Sequence, residues 1–128
     1  MLQLIGRRDD LVIAALEGEV DFSTSERVRA AGELLLADCR CLVLDTASLT
    51  FIDSSGITAL LTLWHRLHQQ QGALVLAIPD AALRQRMRYL GLDNILCVTT
   101  TLHDALAQAQ VLTTAPRPRL LQGEAGPT

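Results

Sequence analysis

The sequence predicts an α/β fold built on a mixed, mostly parallel β-sheet with about four helices, in the order β-β-α-β-α-β-α-β-α. Three observations carry this. Compact apolar runs at residues 11–16, 42–44 and 73–78 suit strands, the last two covered on both faces. Apolar residues elsewhere recur at helical spacing, most clearly Ile57, Leu60, Leu61, Trp64 and Leu67. Glycines, prolines and capping residue types punctuate the alternation. Strands alternating with helices imply parallel neighbours joined by right-handed crossovers.

Taken in order, residues 2–5 form a short edge strand, and Arg7-Arg8-Asp9-Asp10 a polar turn into the stronger strand at 11–16. That spacing suits an antiparallel hairpin, which makes the sheet mixed. Glu17-Gly18-Glu19-Val20-Asp21 leads the chain off the sheet. Ser23, Thr24 or Ser25 then caps a helix to about Ala37, with Val28, Ala31, Leu34 and Leu35 inward and Glu26 in its first turn. After the strand at 42–44, residues 46–50 read as loop and Phe51-Ile52 as a brief return to the core. The helix that follows ends at Gln69-Gln70-Gln71-Gly72, with glycine as the expected C′ residue. Beyond the strand at 73–78, Asp80 caps a short helix facing Leu83, Met87 and Leu90 inward and spreading Arg84, Arg86 and Arg88 over a solvated face. Gly91 stops it, residues 95–98 form a last strand, and Leu102, Ala105, Leu106 and Ala109 mark a last helix. Residues 1–112 thus make one domain. Residues 113–128, with prolines, glycines and no periodicity, are expected to be a flexible tail.

Composition narrows the function. A net charge of −3 argues against non-specific nucleic-acid binding, which rests on basic surfaces. All eleven basic residues are arginine, which removes lysine-dependent phosphate loops and Schiff bases. No apolar run approaches the roughly 18 residues of a membrane span, and the first ten residues do not resemble a secretory signal, so a cytoplasmic protein is expected. Cys39, Cys41 and Cys97 lack zinc-site spacing and read as buried, reduced thiols. His65 and His68, three apart on one helix, have no acidic or sulfur partner nearby, and no metal or cofactor is expected.

The chemistry concentrates at Asp53-Ser54-Ser55-Gly56. Two hydroxyls stand at the positive end of a helix, where free backbone N–H groups favour an added anion. Ser54 is the expected cap. Ser55 reads equally well as a first-turn residue or as a modification site, and Asp53 as a residue that bonds loop amides. Asp45 is expected to tie down the loop after its strand, and Thr58 and Thr62 to lie on the exposed face of the helix.

Together, LEGEVDFSTSERV, the stretch LVLDTASLTFIDSSGITALLTLWHRLHQQQGALVLA, and RYLGLDNI resemble STAS domains, and within them the stand-alone anti-sigma factor antagonists of bacteria. The resemblance runs from about Leu11 to Ala109. DSSG alone is a weak signal. It gains weight because LDTASLTFIDSSG follows a strand and opens a helix, with GEVD about 30 residues earlier.

The resemblance implies the STAS fold and a partner switch. Unphosphorylated, such a protein binds an anti-sigma factor serine kinase and frees a sigma factor. Phosphorylation of the serine before the glycine, here Ser55 with Ser54 as second choice, switches it off, and a metal-dependent serine phosphatase resets it. It further implies a partner surface comprising Asp21, Asp53, Ser54, Ser55, Gly56 and Thr58. The alternative within the fold is a scaffold or accessory subunit of a stress-sensing complex or a lipid-transport ATPase. A hydrolase using Ser55 lacks a suitable base, because His65 and His68 lie about 15 Å or more along the same helix.

Overall fold

In a computed structural model of the chain, residues 1–114 are described. Five strands form one sheet in the order β1-β2-β4-β6-β7. They are β1 (Leu2–Arg8), β2 (Leu11–Leu16), β4 (Cys41–Asp45), β6 (Ala73–Ala77) and β7 (Cys97–Thr99). β1 pairs antiparallel with β2, and the remaining pairs are parallel. The strand β3 (Gly18–Val20) leaves this sheet and pairs parallel with β5 (Leu49–Ile52) in a separate ribbon. The helices are α1 (Ser25–Leu35), α2 (Ser54–Gln69), α3 (Ala81–Tyr89) and α4 (Leu102–Thr114), with one 3-10 turn at Leu92–Asn94.

The period of two in β4 and β6 explains the layering. Leu42, Leu44, Leu74 and Leu76 face one core together with Val28, Leu60, Leu63, Leu67 and Met87. Their neighbours Cys41, Val43, Val75 and Ala77 face a second core closed by Ala105 and Ala109 of α4. Both strands are therefore apolar on both sides, as the continuous runs require. Thr46, the one buried polar residue among those described, turns the chain away from β4 by donating both its amide and its hydroxyl to the Ala77 carbonyl, at 3.0 and 2.8 Å.

Several sequence expectations are corrected here. The stretch at 46–50 is not all loop, since Leu49 opens β5. The last strand begins two residues later than expected, because Leu92–Asn94 winds into its own turn. Leu34 is 82% exposed rather than inward. Gly32 is the reason: an ideal Cβ there would stand 2.6 Å from a Leu63 methyl, so α1 meets α2 along Val28, Gly32 and Leu36, and Leu34 falls outside. The same contact turns Leu63 into the core of α2 and leaves Leu61 and Trp64 at its flank. Leu90, also expected inward, is 55% exposed at the end of α3.

At the end of α2 it is Gln71, not Gly72, that takes the left-handed conformation, with φ +61°. The amides of Gln71 and Gly72 close on the carbonyls of His68 and Leu67 in a Schellman motif. Gly72 is needed for a different reason, since a Cβ there would meet the Arg40 carbonyl at 2.8 Å. Helix α4 continues through Thr113 and Thr114, and the rest of the expected tail, residues 115–128, lies outside the described residues.

Gly56 is the tightest seat in the fold. A Cβ on it would meet Ile52 Cγ1 at 2.5 Å and both Val20 Cγ1 and the Val20 carbonyl oxygen at 2.8 Å. The first turn of α2 thus rests directly on the β3–β5 ribbon. Gly56→Ala is expected to destabilise by about 1–2 kcal/mol, overpacking outweighing the gain in helix propensity; a urea unfolding midpoint measures it. Burial pushes the Cys39 thiol from its ordinary 9.0 up to about 11 and that of Cys41 up to about 12. Both thiols should therefore resist alkylation in the native protein at pH 8 and react once it is unfolded in urea. Because the folded state holds these protons more tightly, their contribution to stability is complete below pH 9.0 and is lost as pH rises through about 11 for Cys39 and about 12 for Cys41.

Candidate functional site

The β3–β5 ribbon brings together two segments distant in sequence. Val20 is paired with Ile52, so Asp21 and Asp53 follow at adjacent carboxyl ends of parallel strands. Sites gather at such ends in sheets of this kind.

Asp53, not Ser54, is the N-cap of α2. Its backbone is still extended (φ −105°, ψ −171°), and its Oδ1 accepts from the amides of Ser55 at 2.9 Å and Gly56 at 3.1 Å. A carboxylate placed one residue earlier satisfies the free amides with a full charge, which a serine hydroxyl does not match at the positive end of a helix. Ser54 is accordingly the first helical residue, exposed, and its carbonyl accepts from the Thr58 hydroxyl at 2.9 Å. Thr62 makes the same bond to the Thr58 carbonyl at 3.0 Å. Ser55 is half-buried, and among the described residues only its amide, not its hydroxyl, is hydrogen-bonded.

The two serines face different flanks. Ser54, Thr58 and Leu61 lie at i, i+4 and i+7 and line a groove against Arg86, Tyr89 and Leu92. Ser55 stands about 100° further round, above Ala59 and Thr62. Exposed apolar side chains stand on the flanking elements, with Phe22 86% and Tyr89 82% exposed and Phe51 about half so.

Asp21 organises the start of α1. Its Oδ1 accepts from the Ser23 hydroxyl at 2.7 Å and from the amides of Ser23 and Thr24 at 2.9 and 3.2 Å. Thr24 occupies the N-cap position but makes no capping bond of its own. The Ser23 hydroxyl, ahead of the amides, holds the Asp21 carboxyl below its ordinary 3.8. That hold is complete above pH 3.8 and is lost as pH falls through the lower folded value. Asp45 ties down its loop as expected, accepting from the Ala47 amide at 3.0 Å.

The arginines of α3 are not simply a solvated face. Arg84 donates to the carbonyls of Ile78 at 2.7 Å and Pro79 at 2.8 Å. Arg86 donates to the Ile52 carbonyl at 2.6 Å, at the threshold of the site. Sequence spacing held no sign of this, because the bond runs from one helix to the end of a strand far away in the chain. His65 and His68 are exposed, His68 stacking on Trp64 with ring centroids 5.1 Å apart, and no acidic, Cys or His cluster among the described residues would hold a metal. No helix among those residues is long and apolar enough to cross a membrane.

Residues 4–109 match the STAS domain family. An anti-sigma F factor antagonist of Paenibacillus polymyxa is 26% identical over 104 residues, which cover 80% of this chain and 89% of that one. The crystal structure of an anti-sigma factor antagonist from Mycobacterium paratuberculosis superposes with a TM-score of 0.71 at 25% identity, over 86% of this chain and 95% of that one. The antagonist SpoIIAA shares the fold in its unphosphorylated form with a TM-score of 0.68 at 21% identity, over 86% of this chain and 98% of the other. SpoIIAA of Bacillus in its phosphorylated form does so with 0.65 at 24% identity, over 84% and 98%. With 106 of its 128 residues matched in one continuous span from 4 to 109, the chain belongs to the STAS domain family, and anti-sigma factor antagonists are among the proteins it is similar to.

Proposed function

We propose that this protein is an anti-sigma factor antagonist that binds an anti-sigma factor serine kinase when unphosphorylated and is switched off by phosphorylation of Ser55. The observation that carries the reading is the Ser55 hydroxyl: unbonded among the described residues and on a helix turn already fixed by Asp53. Asp21, Asp53, Ser54 and Thr58 form the rest of the partner surface, the buried Gly56 seating that turn from beneath, and a metal-dependent phosphatase resets the switch.

The physics favours a switch at the interface over one in the fold. A phosphoryl group adds about −1.5 to −2 charges at pH 7. The helix end favours that charge by about 0.3–1 kcal/mol, while the carboxylates of Asp53 and Asp21 oppose it. The opposing contributions leave little drive to unfold α2. SpoIIAA having this fold in both its unphosphorylated and phosphorylated forms agrees with that balance. The switch then acts by charge and bulk against the partner.

A hydrolase is disfavoured by position. His65 and His68 lie about three turns along α2, and His103 begins α4 on the opposite face of the sheet from α2. Hydrogen-bond reach to Ser55 is needed for a base.

Mixing the protein with ATP and candidate anti-sigma kinases of the same genome, then reading the mass, is the deciding experiment. One phosphate mapped to Ser55 and lost in Ser55→Ala is expected. Phosphate on Ser54 would keep the switch and move the residue. No phosphate from any candidate would favour the scaffold or transporter-accessory role. Separately, Asp53→Ala should cost about 1 kcal/mol of stability by urea unfolding, since it strips the cap from two amides. Asp53→Asn, which keeps the acceptor, should cost less.

A further inference from the structure

The peptide unit between Ile52 and Asp53 is held from both sides. Its N–H, on Asp53, donates to the Val20 carbonyl at 3.1 Å, and its C=O, on Ile52, accepts from Arg86 Nη1 at 2.6 Å. In a trans peptide the two groups point in opposite directions, so one bond reaches β3 and the other reaches α3. Among the described residues β5 pairs only with β3, and its α3 side has no ladder there. The guanidinium fills that gap with a short, charge-assisted bond. Asp53 then sets the amides of Ser55 and Gly56 through its carboxylate.

The chain of contacts is therefore continuous: Arg86, the 52–53 peptide, the Asp53 cap, the first turn of α2. Arg86 is exposed on α3 while Leu83 and Met87 anchor that helix in the core, so its bond is separable from the packing of α3. It also lines the groove that carries Ser54 and Thr58. We infer that Arg86 is a positioning residue for the phosphoacceptor: it locks the peptide leading into the Asp53 cap, and so presents the first turn of α2 to the kinase in one geometry. This rests on the partner-switch reading for its consequence, though not for its geometry.

Two readouts on one variant test it. Arg86→Met keeps an unbranched apolar stem and removes every donor. In that variant the amides of Asp53, Ser55 and Gly56 should exchange with deuterium about tenfold or more faster, roughly what losing one charge-assisted bond implies. Amides of β4 and β6 should keep their native protection, which separates a local effect from global destabilisation. With the kinase that modifies the native protein, KM should rise several-fold with kcat changed less, and Arg86→Lys, which restores a charged donor, should recover part of both effects. Unchanged exchange at those three amides would overturn the positioning role, as would loosened exchange with native KM and kcat. Exchange needs no kinase, so a native protein that accepts no phosphate would sink the partner-switch reading while leaving the Arg86 result standing.

Discussion

The seat of Gly56 on Val20 and Ile52 is the constraint from which the rest of the site follows. Only a residue without a Cβ lets the first turn of α2 approach the backbone of β3 within contact. That approach requires β3 and β5 to pair, and their pairing requires both segments to leave the main sheet at matching points. Gly18 starts the departure with a φ of +74°, and its amide donates to the Ser48 carbonyl at 3.0 Å as the ribbon begins. Asp21 and Asp53 then emerge side by side, each spending its carboxylate on the amides of the helix or turn that follows. The acidic residues that look like a chemical pair are first of all two caps.

Under the proposed switch, this arrangement lets one surface be rigid and modifiable together. The backbone of the first turn of α2 is fixed by the Asp53 carboxylate, by the Val20 carbonyl and by Arg86. The serine hydroxyls take no part in that scaffold. A group added to one of them meets a prepared helix end, and removing it leaves every structural bond in place. Tolerance of the added charge comes from the helix, and opposition to it from Asp53 and Asp21, so the two nearly offset within the fold. Under the proposed switch, what remains uncompensated is the effect on the docking partner.

The sheet supports this from behind. β4 and β6 are apolar on both faces, clamped between the α1–α2–α3 layer and α4. The carboxyl ends of the strands are therefore held by two cores while the loops beyond them stay available. Arg84 and Arg86 extend the grip outward, joining α3 to backbone carbonyls at the ends of β6 and β5. An arginine face that reads as solvation in one dimension serves in three dimensions as a set of backbone acceptors' partners.

What the sequence by itself determined was whatever depends on residues close together in the chain. The doubly apolar strands, the antiparallel first hairpin and the amphipathic central helix opened by residues 53–56 are all local patterns, and each stands in the structure where it was expected. The STAS motif was legible for the same reason, being a short string in a fixed strand–loop–helix setting. Only the tertiary structure decided the cap, the helix faces and the clamp. Asp53 displaced Ser54 as cap because its amide is held by the Val20 carbonyl at the end of β5, which keeps it extended just ahead of the helix. Leu34 turned outward because Gly32 meets Leu63. Gln71 took the left-handed position because Gly72 was needed against the Arg40 carbonyl. Arg86 found Ile52 across 34 residues. Each is a contact between segments remote in sequence, and a periodicity read along one segment carries no information about the surface it will meet.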